Sequence, residues 1–195
     1  MNKFFFFRSL LFSFLLLPFC LFGQSNSIEL QDGNGTLISS HSSIQDAYNA
    51  IPGTISQAYI IEIQSSYNGS LETIPVVFSS RAGTSPTNTI KIMPASGNTG
   101  EAISGTASGS GGVPILLFDN CQYVILDGRP GGTGTTPDLT VQNFSTAGTA
   151  YTIELTNGAS NNVISYVNTI NSSTNTAGGR NIAIDATPSA SNQNN

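Results

Sequence analysis

Beyond about residue 58 the chain alternates short apolar runs with stretches of Gly, Asn, Ser, Thr and Pro. The runs fall at residues 59–63, 75–78, 89–93, 115–118, 123–126, 139–141, 151–155, 162–164 and 182–184. Each is three to five residues long, which suits short β-strands and is too short for helices. Runs centred on residues 91, 116, 140 and 164 are 24 or 25 apart, which predicts stacked turns of a solenoid with a few strands per turn. Aligning the Val-Ile steps sets Val124-Ile125 over Val163-Ile164, with Ile125 in the core and an Asn-bearing corner before each step. Corner Asn side chains can bond a neighbouring turn and satisfy backbone groups that a bend leaves free. A β-sandwich also has short strands with frequent turns and stays open as the alternative.

Two elements are predicted ahead of these runs. Asp32-Gly33 and Asn34-Gly35 are turn signals that predict a hairpin in a lead-in segment, residues 24–41. Ile44, Ala47, Tyr48 and Ile51 then form one apolar helical stripe. Ser42 or Ser43 can cap that helix, Asp46 approximates a capping box, and Pro52-Gly53 ends it.

The first 23 residues read as something apart from the fold. Lys3 and Arg8 lie among Phe4 to Phe7 and an apolar stretch from Leu10 to Phe22, and Gly23 is small enough for a cleavage boundary. This is the pattern of a secretory signal peptide, with Gln24 as the mature N-terminus. An uncleaved signal anchor and a lipoprotein acylated at Cys20 are the alternatives. Pro18 and Arg8 interrupt the apolar stretch, and Phe19 is bulky for a lipoprotein site. No membrane span is expected in the mature chain.

Composition narrows the class further. Gly, Ser, Thr and Asn supply 85 of the 195 residues and only 9% are charged, which excludes a coiled coil or helical bundle. Without Lys3 and Arg8, four basic residues face eleven acidic ones, so no nucleic-acid partner is expected. Cys121 is the single Cys after residue 23, and with no His near it in sequence it reads as a buried, inert thiol.

Two stretches carry a resemblance. Ser43-Ile44-Gln45-Asp46-Ala47-Tyr48-Asn49-Ala50-Ile51 followed by Tyr59-Ile60-Ile61-Glu62-Ile63 resembles the capping helix and first strand of pectin-lyase-like right-handed parallel β-helix proteins. Asn120-Cys121-Gln122-Tyr123-Val124-Ile125-Leu126-Asp127-Gly128 resembles a recurrent rung of the same family. The Ser/Thr/Gly/Asn-rich style is similar to that of large bacterial surface proteins carrying such repeats. The resemblance implies an all-β, right-handed parallel β-helix over residues 42–185 with an N-terminal capping helix. Residues 186–195 form a polar tail with no apolar segment to close the far end, and the expectation is that the chain is the N-terminal part of a longer protein.

Enzymes of this fold cleave acidic polysaccharides with paired carboxylates, or with acidic residues and an Arg or Lys base. Asp119, Asp127, Arg129, Asp138 and Glu154 are the candidates here. The most suggestive cluster is Asp127-Gly128-Arg129, although Asp-Gly after a strand is first of all a turn signal. No complete catalytic signature transfers, and Asp127 and Arg129 remain the catalytic candidates. Tyr67, Tyr123, Tyr151 and Tyr166 adjoin strand runs and would bind sugar by stacking if they face outward. The Gly-rich stretches 109–112 and 131–134 lack the Lys-Ser/Thr of a phosphate loop. His41 has no partner at metal-ligand spacing, so no metal or cofactor is expected. Ca2+ held by scattered Asp, Glu and carbonyl groups is compatible with the composition, but no motif supports it. Four Asn-x-Ser/Thr matches, at Asn34, Asn68, Asn143 and Asn171, are expected by chance in so Asn- and Ser-rich a chain.

Two functions fit. One is a secreted or cell-surface β-helix module with a structural, adhesin-like or carbohydrate-contacting role, its partner an extracellular or cell-wall polysaccharide. The other is the N-terminal half of a polysaccharide lyase or glycoside hydrolase whose catalytic rungs lie beyond residue 195.

Overall fold

The computed structural model describes residues 26–110, 112–174 and 178–185. The predicted signal peptide and the polar tail lie outside the described residues. The fold is all-β with one α-helix. In chain order the elements are β1 (Ile28–Asp32), β2 (Leu37–His41), α1 (Ile44–Ala50), β3 (Tyr59–Ile63), β4 (Val76–Ser79), β5 (Ile90–Pro94) and β6 (Glu101–Gly105). Then come β7 (Leu116–Asp119), β8 (Val124–Asp127), a short 3-10 turn (Pro130–Gly132), β9 (Leu139–Asn143), β10 (Tyr151–Thr156), β11 (Val163–Ser165), β12 (Val167–Asn171) and β13 (Arg180–Ile184).

The strands form three sheets, ordered β11-β8-β5-β3-β1-β2, β13-β10-β7-β4 and β12-β9-β6. Every pairing is parallel except those of β1 with β2 and with β3. Mostly parallel sheets do not fit the antiparallel sandwich kept as the alternative. Alternation along each strand sends every second side chain into one shared core. One core row runs Ile61, Ile92, Leu126, Ile164 across the first sheet. A second runs Phe78, Phe118, Leu155, Ile184 across the second sheet. Tyr48 of α1 extends that row, with ring centroids 5.1 Å from Phe78 and 5.0 Å from Phe78 to Phe118. These separations lie close to the spacing of neighbouring strands, so each ring is carried at the level of its own strand.

The helix forms as its stripe predicts. Ser43 is its N-cap, accepting from the Asp46 N–H at 3.0 Å, and Ile44, Ala47, Tyr48 and Ile51 are buried. The predicted hairpin also forms, held by the Asp32 carboxylate, which accepts from the Asn34 and Thr36 N–H groups at 2.9 Å. Those two bonds hold the carboxyl below the usual carboxylate range.

Three expectations are corrected. The 24-residue spacing is not the stacking repeat: its runs fall in three different sheets, β5 and β11 in the first, β7 in the second and β9 in the third. Paired residues are farther apart in sequence, as in Ile90 with Val124 and Leu116 with Ile153. The spacing instead spans two sheet-to-sheet steps, from β5 to β7, β7 to β9 and β9 to β11, with β6, β8 and β10 between them. The Val-Ile alignment picks the correct strands but is off by one residue, since Val163 pairs with Ile125. A slip of one residue exchanges the two faces of a strand, so Ile125 is half-buried on the outer face and Leu126 occupies the core. Finally, β6 and β12 are strands beyond the predicted runs, because their sequences Glu-Ala-Ile-Ser-Gly and Val-Asn-Thr-Ile-Asn hold too few apolar residues to make a run.

Candidate functional site

The Asp127-Gly128-Arg129 cluster leaves β8 on the outer face of the first sheet. Arg129 folds back on Asp127 through both carboxylate oxygens, Nε to Oδ1 at 2.8 Å and Nη2 to Oδ2 at 2.7 Å. The Arg129 N–H adds a third bond to Oδ1 at 3.2 Å. Burial works to raise the Asp127 pKa, but the bonds from Arg129 and the charge of Lys91 outweigh it and hold the carboxyl below its ordinary range. The guanidinium in turn lies over the Tyr166 ring, 4.4 Å from its centroid. Between the pair, Gly128 presses against the Tyr166 carbonyl so closely that a Cβ would collide with it. An acid bonded on both oxygens and a base stacked on a ring serve to tie the β8 corner to the end of β11. Among the described residues no second carboxylate is bonded to this pair.

The four tyrosines are dispersed. Tyr67 is buried and donates to Glu72 Oε1 at 3.1 Å. Tyr151 is buried against Gly112, with the Arg180 guanidinium 5.5 Å from its ring centroid. These two therefore do not offer a sugar an open face, because core and corner packing takes them up. Tyr123 is half-buried at the start of β8, whereas Tyr166 is exposed just after β11 with one face under Arg129. Both adopt left-handed backbone, φ 56° and 54°, as corner residues. They stand at opposite ends of the strands, so no stripe of rings on successive strands is formed.

The concave polar feature lies elsewhere. A surface pocket of about 380 Å³ opens between the loop after β4 and the corner joining β7 to β8. Ser80, Arg81, Ala82, Gly83 and Thr84 line one wall, and Asn120 and Gln122 line the other. Asn120 is placed there by left-handed backbone, φ 52°, a conformation that Asn adopts more readily than most residues. Arg81 is anchored rather than free. Its guanidinium lies over the Tyr48 ring at 4.6 Å and donates to Ser79 Oγ at 2.9 Å, to the Ser80 carbonyl and to the Tyr48 carbonyl. Arg81 Nε is buried without a partner. The walls come from segments about 40 residues apart in sequence, and although Asn120 and Gln122 belong to the rung-like stretch, neither wall contains a binding or catalytic motif.

Comparison with known proteins returns no matching family model, no similar curated protein and no matching solved structure. The chemistry has to be read from the residues themselves. Among the described residues no group of three or more His, Cys, Asp or Glu side chains is placed to hold a metal ion. Among them, too, no helix is long and apolar enough to cross a membrane. Cys121 is buried beside the next corner, where Asn162 accepts from the Val124 N–H and donates to the Cys121 carbonyl. Burial pushes its thiol up to about 12, which leaves it protonated at neutral pH.

Proposed function

We propose that the chain is an exported module, built as a right-handed parallel β-helix, that contacts extracellular or cell-wall carbohydrate without cleaving it. The architecture is supported by three mostly parallel sheets that the chain visits in rotation from β5 onward around one core. The function rests on one observation: the polar pocket is lined by amide, hydroxyl and guanidinium groups and by no carboxylate. Such a lining offers donors and acceptors to the hydroxyls of a sugar. Cleavage by general acid–base chemistry needs two carboxylates, or a carboxylate and a base, converging on one bond. Asp127 and Arg129 converge on each other instead.

The test is a panel of pectin, pectate, alginate and neutral glucans, with and without Ca2+. Binding is read by affinity electrophoresis and turnover by reducing ends and by the absorbance of unsaturated products. The expected result is retardation by at least one glycan, lost in Gln122→Ala, with no product formed. Turnover that disappears in Asp127→Asn or Arg129→Ala would make that corner an active site and overturn the proposal. Export is checked on the same preparation, whose N-terminal sequence is expected to begin near Gln24.

A further inference from the structure

The three sheets differ on their outer faces. The first carries Glu29, Glu62, Lys91 and Asp127 there, and the second carries Asp119 and Glu154, all at positions that alternate with the core rows. The third carries no charge. Its outward positions are Ala102 and Ser104 on β6, Thr140 and Gln142 on β9, and Asn168 and Ile170 on β12. The one charged residue of its strands, Glu101, is buried on the inner side. At the end of this outer face stands Phe144, 51% exposed, whereas Phe78 and Phe118 are fully buried. Phe144 follows the central strand β9, and its N–H donates to the Gly105 carbonyl at 2.8 Å. On the other flank the Ser172 N–H donates to the Asn143 carbonyl at 3.0 Å, so the neighbouring chain is in place on both sides of the ring. A strand pairing beyond β12 would widen the sheet in its own plane and leave this face outward.

We propose that this face is a stacking platform for a neutral glycan, with one sugar ring on Phe144 and its hydroxyls on the polar side chains alongside. It is a second contact, apart from the pocket, and it rests on the carbohydrate reading above. Three features select that occupant. An aromatic face is electron-rich and meets the C–H bonds on one side of a sugar ring. The side chains of Ser104, Thr140 and Gln142 form no hydrogen bond among the described residues, so donors and acceptors stand free for sugar hydroxyls. The third feature is what the face lacks. A charged polymer finds no counter-charge on it. A protein partner finds too little apolar surface, since Phe144 and Ile170 are its exposed large apolar side chains. Two side chains fall far short of the roughly 800 Å² that a stable interface buries on each partner.

The experiment is affinity electrophoresis of the full chain in hydroxyethylcellulose, a neutral β-glucan, with pectate as the charged comparison. The parent is expected to be retarded by the neutral polymer. Phe144→Ala is expected to weaken that binding at least about fivefold with an unchanged circular dichroism spectrum, and Phe144→Tyr to keep it. Leu37→Ala removes an equally exposed apolar side chain from β2 in the first sheet and is expected to bind as the parent does. A parent that the neutral polymer does not retard overturns the proposal, and so does Phe144→Ala binding as the parent does. Equal loss in Leu37→Ala would mean general apolar adsorption and overturns it, as does pectate binding that depends on Phe144. A dimer in sedimentation that Phe144→Ala dissociates would make the face a protein interface and overturns it too. Binding lost in Gln122→Ala but untouched in Phe144→Ala removes this platform and leaves the pocket reading standing, whereas no retardation by any glycan removes both.

Discussion

At one end of the stacked strands β1, β2 and α1 lie over the core, and Ile28, Leu30, Ile44 and Tyr48 are 0–1% exposed. At the other end side chains of the same kind, in the same register as buried neighbours, stand in the open. The difference does not come from apolar content, since both ends present Ile. It comes from how the backbone groups are satisfied. On the covered end β1 pairs antiparallel with β3, and β2 beyond it ends the first sheet. The exposed edge of β4 is met by a side chain: Gln45 of α1 accepts from the Val77 N–H at 2.6 Å and donates to the Val77 carbonyl at 3.2 Å. One amide thus imitates the strand that is missing. Glu72 then holds the helix itself, accepting from the Ile44 N–H at 2.6 Å and the Gln45 N–H at 3.3 Å. Burial raises the Glu72 pKa, with those bonds working against it. A cap on this architecture is therefore a set of hydrogen-bonding substitutes laid over an apolar plug.

Three measurements can break this contrast. The largest effect is expected in the covered core. Phe118→Ala should cost about 3–5 kcal/mol in urea unfolding, as for other buried aromatic truncations. Ile184→Ala should cost under about 1 kcal/mol. Equal costs would mean that the two ends are equally closed. Next, Gln45→Ala should cost about 1–3 kcal/mol by leaving the Val77 groups unpaired, and it should raise hydrogen exchange at Val77 first. Uniformly faster exchange would remove the strand-imitating role.

The smallest effect concerns the tie near the open end. Asp127→Asn should cost about 1–2 kcal/mol at neutral pH through weaker bonds to Arg129. Because the folded pKa of Asp127 lies below its unfolded value, this contribution is present above the unfolded pKa and is lost as pH falls through the folded one. The stabilities of parent and variant should therefore converge in acid, and a gap independent of pH would show that the carboxylate charge plays no part.

Much of the covered end was legible in the sequence. The hairpin turn at Asp32-Gly33 and the stripe through Ile44 and Tyr48 are local signals, set by residues a few positions apart. The roles of Gln45 and Glu72 were not legible, because their partners are settled by packing rather than by spacing. For the stacked strands, local alternation marked the runs, but which run lies over which depends on loops of unequal length. The pocket shows the same limit, as Arg81 and Gln122 meet only once β4 and β7 are paired. At the corner after β8, by contrast, the turn reading of Asp127 and the geometry of Arg129 agree, since both are fixed within three residues.

Asn143 and Asn171 pair in register on β9 and β12 and do equivalent work. Each amide donates to the carbonyl of the first residue of the following strand, Tyr151 at 2.7 Å and Arg180 at 2.8 Å. Each carboxamide oxygen accepts from the N–H two residues ahead, that of Ser145 or Ser173. Two of the four Asn-x-Ser/Thr matches are therefore spoken for, and Asn143, fully buried, is closed to any glycosyl transferase acting on the folded chain. The same bonds act as a ruler on chain length. The excursion from amide to carbonyl is eight residues in one case and nine in the other. Insertions there must return the chain to the same amide, just as the loop before β9 must bring the Asp138 and Leu139 N–H groups back to the Gly128 carbonyl, at 2.8 and 3.1 Å.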